Sequence, residues 1–438
     1  MKALLLVLAL AAGVGEEDMP DFSRPWTLRQ CTEWAMDHNL TVARQENNVA
    51  GREIEQNTSH WSWLPSVSAQ ASENFNFGRG IGGDNTYERG NSSTTGFSVG
   101  ANMSLFDGGA IYNQIRLSNL NLEAAVADLE KARDDIRVSV AKAYVQILYN
   151  YEIRDVARQQ IAIDSMQVAR LEQMFASGRS SAAEVSQQKA TLAQSQVTLV
   201  QAENNVRSSL LELAQLLELV SWEGFSIERP SVSMEEIAIG HPDDIYADAL
   251  GIRPAIRAEQ IRLEGTKRSL AIAKSAYYPT LTLSGGGGTN YYTSFDAISF
   301  WDQLQVNFSQ YVGLSLSIPI FSKFSIRNRV RTANLNIHTQ ELALRQAENS
   351  LYKEIQQAWN SAVNARAKWD ASQQALSAAE DSFTLTQAKY ENGKATVTEF
   401  NESRNRLMKS RSDAVQATYE YLFQTRLVNF YRGSSLDF

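Results

Sequence analysis

The chain has 438 residues, 43% of them hydrophobic and 21% charged, with a net charge of −8 at neutral pH and a pI near 5.3. That balance excludes a general nucleic-acid or anionic-lipid partner, which needs a basic patch, and no run of Lys and Arg supplies one. Cys31 is the only cysteine, so an intramolecular disulfide is excluded and a small buried apolar role is expected for it.

Met1 to Gly15 begins with a charge at Lys2, continues as an apolar run from Ala3 to Ala12 and ends in small residues, the pattern of a secretory signal. Its apolar run is shorter than the roughly 20 residues a spanning helix requires, and nothing else in the chain approaches that length. Export without a transmembrane helix is expected. A helix is expected from Leu28 to about Gln56. Trp61 and Trp63 then lead into a period-two segment, with Val67, Ala69, Ala71, Phe75 and Phe77 on one face and Ser68, Gln70, Ser72, Asn74 and Asn76 on the other. Only Glu73 breaks the apolar side. After a Gly, Asn and Ser-rich stretch from Arg79 to Thr94, a second strand sets Phe97, Val99, Ala101, Met103 and Leu105 against Ser98, Gly100, Asn102 and Ser104, and Phe106 closes it.

From Gly108 to about Ala176 the pattern is helical and free of proline, roughly 100 Å of helix at 1.5 Å per residue. Gly178 ends it at a position that favours left-handed backbone, and a return helix runs from about Ser181 to Leu219. Val140, Tyr144, Ile147 and Tyr151 on the outgoing helix, and Leu199, Ala202, Val206, Leu210, Leu213 and Leu217 on the return, step by three or four and require partner helices. A linker at 221–242 follows. A helix from about Asp243 to Ala276 leads to Tyr277 and Tyr278, then to a third strand from Thr280 to about Tyr291 that Gly285 to Gly288 interrupts. A polar connection from about Thr293 to Gln303 precedes a fourth strand, whose apolar face runs through Val306, Phe308, Val312, Leu314, Leu316, Ile318 and Ile320. Phe321 follows, then a long helix from Lys323 to about Glu391, a turn at Gly393 and a return helix from about Val397 to Tyr431.

The second series repeats the first. Arg116, Asn119, Leu120 and Asn121 align with Arg331, Asn334, Leu335 and Asn336 at an offset of 215, as do Gly178 with Gly393 and Glu184 with Glu399. Pro65 and Pro279, and Ala35 and Ala249, align at 214. A register held across so many anchors is duplication. It divides the chain into a signal at 1–15, a first repeat at 16–220 with a β-hairpin at 66–106 and a helical hairpin at 108–219, the linker, and a second repeat at 243–438 with a β-hairpin at 280–321 and a helical hairpin at 323–431.

Strands apolar on one face and lined on the other by Ser, Asn, Gln and Gly suit lipid outside and water inside, near the ~10 residues of a tilted membrane strand. Trp61, Trp63, Tyr277, Tyr278, Phe106 and Phe321 all fall at one end of the strands, as a bilayer interface selects, although aromatic rings also close ordinary sheets. Four strands cannot close a barrel, since about eight is the smallest number known, so oligomerisation is required and three copies would supply roughly twelve. An exported helical scaffold or adhesin is the alternative; it accounts for the signal and the long helices but not for the two β-hairpins. His38, His60, His241 and His338 show no metal-ligand spacing, no phosphate-cradling Gly-rich loop precedes a Lys, and no catalytic constellation is present. No enzyme, metal or cofactor is expected.

The doubled plan of helix, β-hairpin and helical hairpin, Pro65 and Pro279 entering the odd strands, and MSLFDGG at Met103 and SIPIFS at Ser317 leaving the even ones, resemble the TolC-like outer membrane efflux proteins, the outer membrane factor family. The resemblance covers essentially the whole mature chain. It implies an α+β membrane protein in which a homotrimer forms a twelve-stranded transmembrane β-barrel continuous with a long periplasmic α-helical barrel. It also implies a location in the Gram-negative outer membrane, and service as the exit duct of a tripartite efflux or type I secretion system through a periplasmic adaptor and an inner-membrane RND or ABC transporter. Phe175, Gly178, Ser180, Ser181, Glu184 and Val185, with Tyr390, Gly393, Thr396, Val397, Glu399 and Phe400, match the family's adaptor-docking turns. Glu399 and Glu402, three apart on one helix face, match acidic residues that line the narrowed periplasmic entrance, and Tyr390 matches the tyrosine of the closing lock. Where the family often places a locking arginine this chain has Ala395, with Lys394 beside it.

Overall fold

The computed structural model describes residues 22, 24–81, 86–230, 239–293 and 298–436, so the expected signal at 1–15 lies outside the described residues. Contacts group the chain into two units, one from Met1–Glu46, Leu129–Pro254 and Glu348–Phe438, the other from Asn47–Asp128 and Ala255–Ala347.

The helices before each sheet segment are broken where continuous ones were expected. In place of one helix to Gln56 there are α1 (Leu28–His38) and α2 (Leu40–His60). Asn39 between them is extended, its N–H donates to the Ala35 carbonyl at 2.9 Å, its Oδ1 accepts from Thr41 N at 2.9 Å, and its Nδ2 donates to the Leu216 carbonyl at 2.9 Å. One side chain ends a helix, starts the next and ties both to the return helix. The second repeat does the same with other chemistry. Instead of one helix to Ala276 there are α5 (Pro242–Ile252) and α6 (Pro254–Ser275), divided at Arg253, 214 residues after Asn39. Pro254 pushes the residue before it into extended backbone, and Arg253 N donates to the Ala249 carbonyl at 2.9 Å as Asn39 does to Ala35.

The long hairpins match in length: α3 (Ala110–Ala176) and α8 (Ser325–Glu391) have 67 residues each, and α4 (Ala182–Leu216) and α9 (Val397–Tyr431) have 35 each. The expected stripes are buried apart from Leu199, which is half-buried. Val140, Tyr144, Ile147, Leu213 and Leu217 are at most 1% exposed, and Ala202, Val206, Leu210 and Tyr151 are also buried. Burying each large apolar side chain contributes ~1.5–3 kcal/mol, which outweighs helix propensity as the source of order in these hairpins. Cys31 is fully buried, and the loss of solvent pushes its thiol up to about 12.

The other unit holds an antiparallel sheet of β1 (Ser66–Asn76), β4 (Ser92–Phe106), β5 (Thr280–Tyr292) and β6 (Ser309–Ser317), in the order β1-β4-β5-β6. A small ribbon of β2 (Arg79–Ile81) and β3 (Tyr87–Arg89) occupies the first connection. Residues directly opposed in an antiparallel ladder share a face. The register Val67, Ala101, Gly285, Val312, and above it Ala69, Val99, Gly287, Gln310, therefore places the apolar alternation of all four strands on one side. Glu73, the expected exception on that face, accepts a hydrogen bond from the Thr95 hydroxyl opposite it. The glycine run does not interrupt β5. Rings stand in for its missing side chains: a Cβ on Gly286 would lie 2.6 Å from the Val99 carbonyl and 3.1 Å from the Tyr311 ring, and one on Gly287 would meet Phe308 at 3.5 Å.

The fourth strand is shorter than its alternation suggests. Val306 ends a helix, α7 (Phe300–Val306), and β6 starts at Ser309 and stops at Ser317, before Ile318 and Ile320. Ser299 caps α7 by accepting from Asp302 N, and Phe300, Gln303, Leu304 and Asn307 recur at helical spacing on its covered side. That signal wins locally over the period-two pattern.

Candidate functional site

Both helical hairpins turn in the same way. Gly178 (φ +73°) and Gly393 (φ +69°) hold left-handed backbone. Gly178 N donates to Phe175 O at 2.9 Å and Arg179 N to Met174 O at 2.8 Å, and Gly393 N and Lys394 N repeat this to Tyr390 O and Lys389 O at 3.0 and 2.8 Å. These paired bonds satisfy the carbonyls a helix end leaves free. The return helices then start with reciprocal caps. Ser181 Oγ accepts from Glu184 N at 3.2 Å while Glu184 Oε2 accepts from Ser181 N at 2.9 Å and Ser180 Oγ at 2.6 Å. Thr396 Oγ1 accepts from Glu399 N at 3.2 Å while Glu399 Oε2 accepts from Thr396 N at 2.7 Å and Thr396 Oγ1 at 3.0 Å.

The caps favour the ionised form of two of the expected site residues. The Ser180 hydroxyl, with Ser181 behind it, holds Glu184 below the usual carboxylate range, and the Thr396 N–H and hydroxyl do the same for Glu399. Glu399 therefore serves the helix start within its own chain and stays ionised. Glu402 accepts from Arg406 Nη2 at 3.2 Å, an exposed pair one turn apart. Phe175 is exposed and Phe400 buried.

Tyr390 is buried and joins the two hairpins. Its hydroxyl accepts from Gln167 Nε2 of α3 at 2.6 Å, its ring stacks on Phe400 with centroids 4.9 Å apart, and the Arg170 guanidinium lies 5.0 Å over the ring. Burial raises its phenol above the usual value, with Arg170 acting against that rise. One turn deeper is a cluster that sequence reasoning missed. Arg404 of α9 pairs through Nη1 with Asp164 of α3, their side chains 2% and 0% exposed. Asp164 Oδ2 also accepts from Ser195 Oγ of α4 at 2.5 Å and from Gln160 Nε2 at 3.0 Å. Burial works against the Arg404 charge and the Asp164 carboxylate opposes that effect. Three helices from both repeats thus meet at one carboxylate. Asp and Arg lie 240 residues apart in sequence and look like any two surface charges, so no local signal announces the pair.

Beside this cluster, α4 and α9 flank an open groove of about 1050 Å³, lined by Gln187, Thr191, Gln194 and Thr198 on one helix and by Val397, Thr398, Glu402 and Met408 on the other. Amides and hydroxyls make up most of its lining, with Ala190, Val397 and Met408 between them and Glu402 and Arg404 as its charged residues. The expected interfacial aromatics belong to the other unit. Trp61, Trp63, Tyr277, Tyr278, Phe106 and Phe321 are 44–72% exposed there. Among the described residues no group of His, Cys, Asp and Glu could hold a metal ion, and no helix is long and apolar enough to cross a membrane.

Residues 34–218 and 245–428 match the outer membrane efflux protein family, one stretch in each repeat. The fusaric acid resistance protein FusA of Burkholderia cepacia is 28% identical over 218 residues, 49% of this chain and 40% of FusA, so the match spans less than half of that relative. The outer membrane protein TolC of Escherichia coli K12 is 23% identical over 366 residues, 78% of this chain and 71% of TolC. Among solved structures, the outer membrane protein VceC of Vibrio cholerae has the same fold, with a TM-score of 0.77 at 19% identity over 94% of this chain and 97% of VceC. With both repeats matched and the sheet and hairpins arranged as described, the chain belongs to the outer membrane efflux protein family, TolC-like channels of the Gram-negative outer membrane that extend into the periplasm.

Proposed function

We propose that three copies of this chain close a roughly twelve-stranded barrel and form the passive exit duct of a tripartite efflux or type I secretion system. The observation that carries the reading is the sheet. Among the described residues both of its edge strands, β1 and β6, end it without a further partner, and its apolar face is exposed, with Val67, Val99, Val312, Leu314 and Leu316 each more than half exposed. Unpaired strand edges in hydrocarbon cost several kcal/mol per group, and pairing β6 of one copy with β1 of the next removes them. The paired turns at Phe175, Gly178, Ser180, Ser181 and Glu184, and at Gly393, Thr396 and Val397, are the docking surface for a periplasmic adaptor, which links the duct to an RND or ABC pump in the inner membrane.

Glu399 and Glu402 of three copies form the acidic ring of a periplasmic gate. Ala395 leaves no arginine to lock it from that position, and the joins between hairpins supply the closure: Gln167 and Arg170 on Tyr390, and Arg404 on Asp164. Support for Glu399 comes from the cap that keeps it ionised. Single-channel recordings test both levels. The purified protein is expected to conduct as a heat-modifiable trimer, and Glu399→Ala with Glu402→Ala is expected to weaken block by periplasmic divalent cations. A water-soluble monomer refutes the duct, and unchanged block in a conducting variant refutes the acidic ring alone.

A further inference from the structure

The short helix α7 stands where β6 would continue. The last β5–β6 pair is Gly288 with Ser309, yet β5 runs on to Tyr292. Above that pair the side chains of α7 and of its C-cap residue take over from the missing strand. Tyr292 N donates to Gln303 Oε1 at 3.0 Å while Gln303 Nε2 donates to Tyr292 O at 3.1 Å, the two-bond pattern of a ladder partner. Asn307 Nδ2 donates to Asn290 O at 2.8 Å, and the Leu304 carbonyl accepts from Thr289 Oγ1 at 2.6 Å.

Which side of the sheet α7 covers follows from the register. Thr289 and Tyr291 share a face with Leu281 and Leu283, the apolar one, and α7 meets both: Leu304 through the Thr289 hydroxyl, Phe300 through the Tyr291 ring at 5.0 Å. Its depth follows too. Tyr291 lies opposite Thr95, which lies opposite Glu73, the first carboxylate on that face. From Leu281 to Tyr291 a strand rising ~3.4 Å per residue at ~45° climbs ~24 Å, close to the ~25 Å apolar band of outer-membrane barrels. The helix sits at the rim of that band. On its uncovered side are Trp301, 76% exposed, and Val306, 74% exposed, continuous with Phe308 at 61%. Asp302 on the same side is held by the Ser299 hydroxyl at 2.7 Å.

We infer that α7 is an interfacial anchor: it seals the upper end of β5 and sets Trp301 at the headgroup boundary of the outer leaflet, with Val306 and Phe308 directed to acyl chains. Lipid is the occupant because this patch adjoins the apolar face of the sheet, Phe308 sharing that face with Val312 and Leu314 on either side of a single Gln310, and because a tryptophan beside the first carboxylate of that face matches the chemistry of a headgroup boundary. The inference rests on the reading of that face as lipid-facing.

Trp301→Phe isolates the signal of one tryptophan by difference. The trimer, with insertion verified by conductance, is placed in phosphatidylcholine vesicles carrying bromine either near the carbonyl end or near the methyl end of the acyl chains. The Trp301 emission is expected to be lost more to the shallow bromines than to the deep ones and to be shielded from aqueous iodide. Quenching by iodide with none by brominated lipid puts Trp301 in water and overturns the anchor; quenching by neither puts it under a neighbouring copy and also overturns it. A nitroxide on Val306→Cys is a second readout, with Cys31 too buried and too high in pKa to compete for label. It is expected to be more accessible to oxygen than to a water-soluble nickel chelate, and the reverse order overturns the inference. Absent conductance would instead fault the channel reading.

Discussion

Replacing Arg404 with Leu removes the cation and leaves the Asp164 carboxylate, 0% exposed, with only the Ser195 hydroxyl and the Gln160 amide as donors. Stripping one partner from a buried pair costs ~3–5 kcal/mol because the remaining charge is neither solvated nor matched. Two neutral donors stay in place, so the lower end applies, and ~3 kcal/mol raises the open population of this seam by ~10²-fold at 1.4 kcal/mol per tenfold. Hydrogen exchange on the detergent-solubilised protein reads that population directly, through the protection of peptides covering 160–171 and 400–408. Arg404→Leu is expected to lose ~10²-fold of protection there, while Asp164→Leu with Arg404→Leu recovers most of it, since an apolar pair needs no counter-charge. A loss below ~threefold in the single variant, about 0.7 kcal/mol, would refute the reasoning. So would a double variant as exposed as the single one, because the loss would then owe nothing to an unmatched carboxylate.

The caps at the tips are acid-sensitive in a defined direction. Glu184 and Glu399 have folded pKa values drawn below the ordinary 4.5, so their stabilisation is complete above that pH and is lost as the pH falls through the lowered values. Nicking by an acid-active protease at 175–181 and 390–397 should therefore rise as the pH falls below about 4.5, and a flat profile would remove the caps as the cause. In the sheet, Gly286→Val should lower the yield of folded, membrane-extracted protein, since its Cβ would lie 2.6 Å from the Val99 carbonyl and overpacking costs ~1–3 kcal/mol. Gly51→Ala, in α2 with nothing within 4 Å, should leave the yield unchanged or higher.

Much of the fold was legible because its signals are local or periodic. The long hairpins needed only proline-free stripes at helical spacing and a glycine at each turn. Their equal lengths in the two repeats follow from the duplication that the offsets revealed. The helix breaks were half legible. Pro254 announces the end of α5, but Asn39 breaks its helix through a bond to Leu216, a residue no window around it contains. At the fourth strand Val306 and Phe308 continued the alternation of Val312 and Leu314, and the period-two pattern masked the cap at Ser299. At the tips the sequence pointed to Glu399, Thr396 and Tyr390, yet not to the Gln167 and Arg170 contacts that hold Tyr390 from the other hairpin.

By itself, then, the sequence determined the repeated plan, the apolar and polar faces of the strands, and the two turns, since each is written in spacing and in residues with restricted backbone. Tertiary structure alone decided which charges became buried partners. A carboxylate at 164 and a guanidinium at 404 acquire a role only when packing removes water from both at once, and that depends on three helices meeting. It also decided that a helix would finish what β6 leaves unpaired. The glycine run that looked like the weak point of β5 is where the Tyr311 and Phe308 rings come close to the backbone, a fit that spacing along one strand cannot reveal.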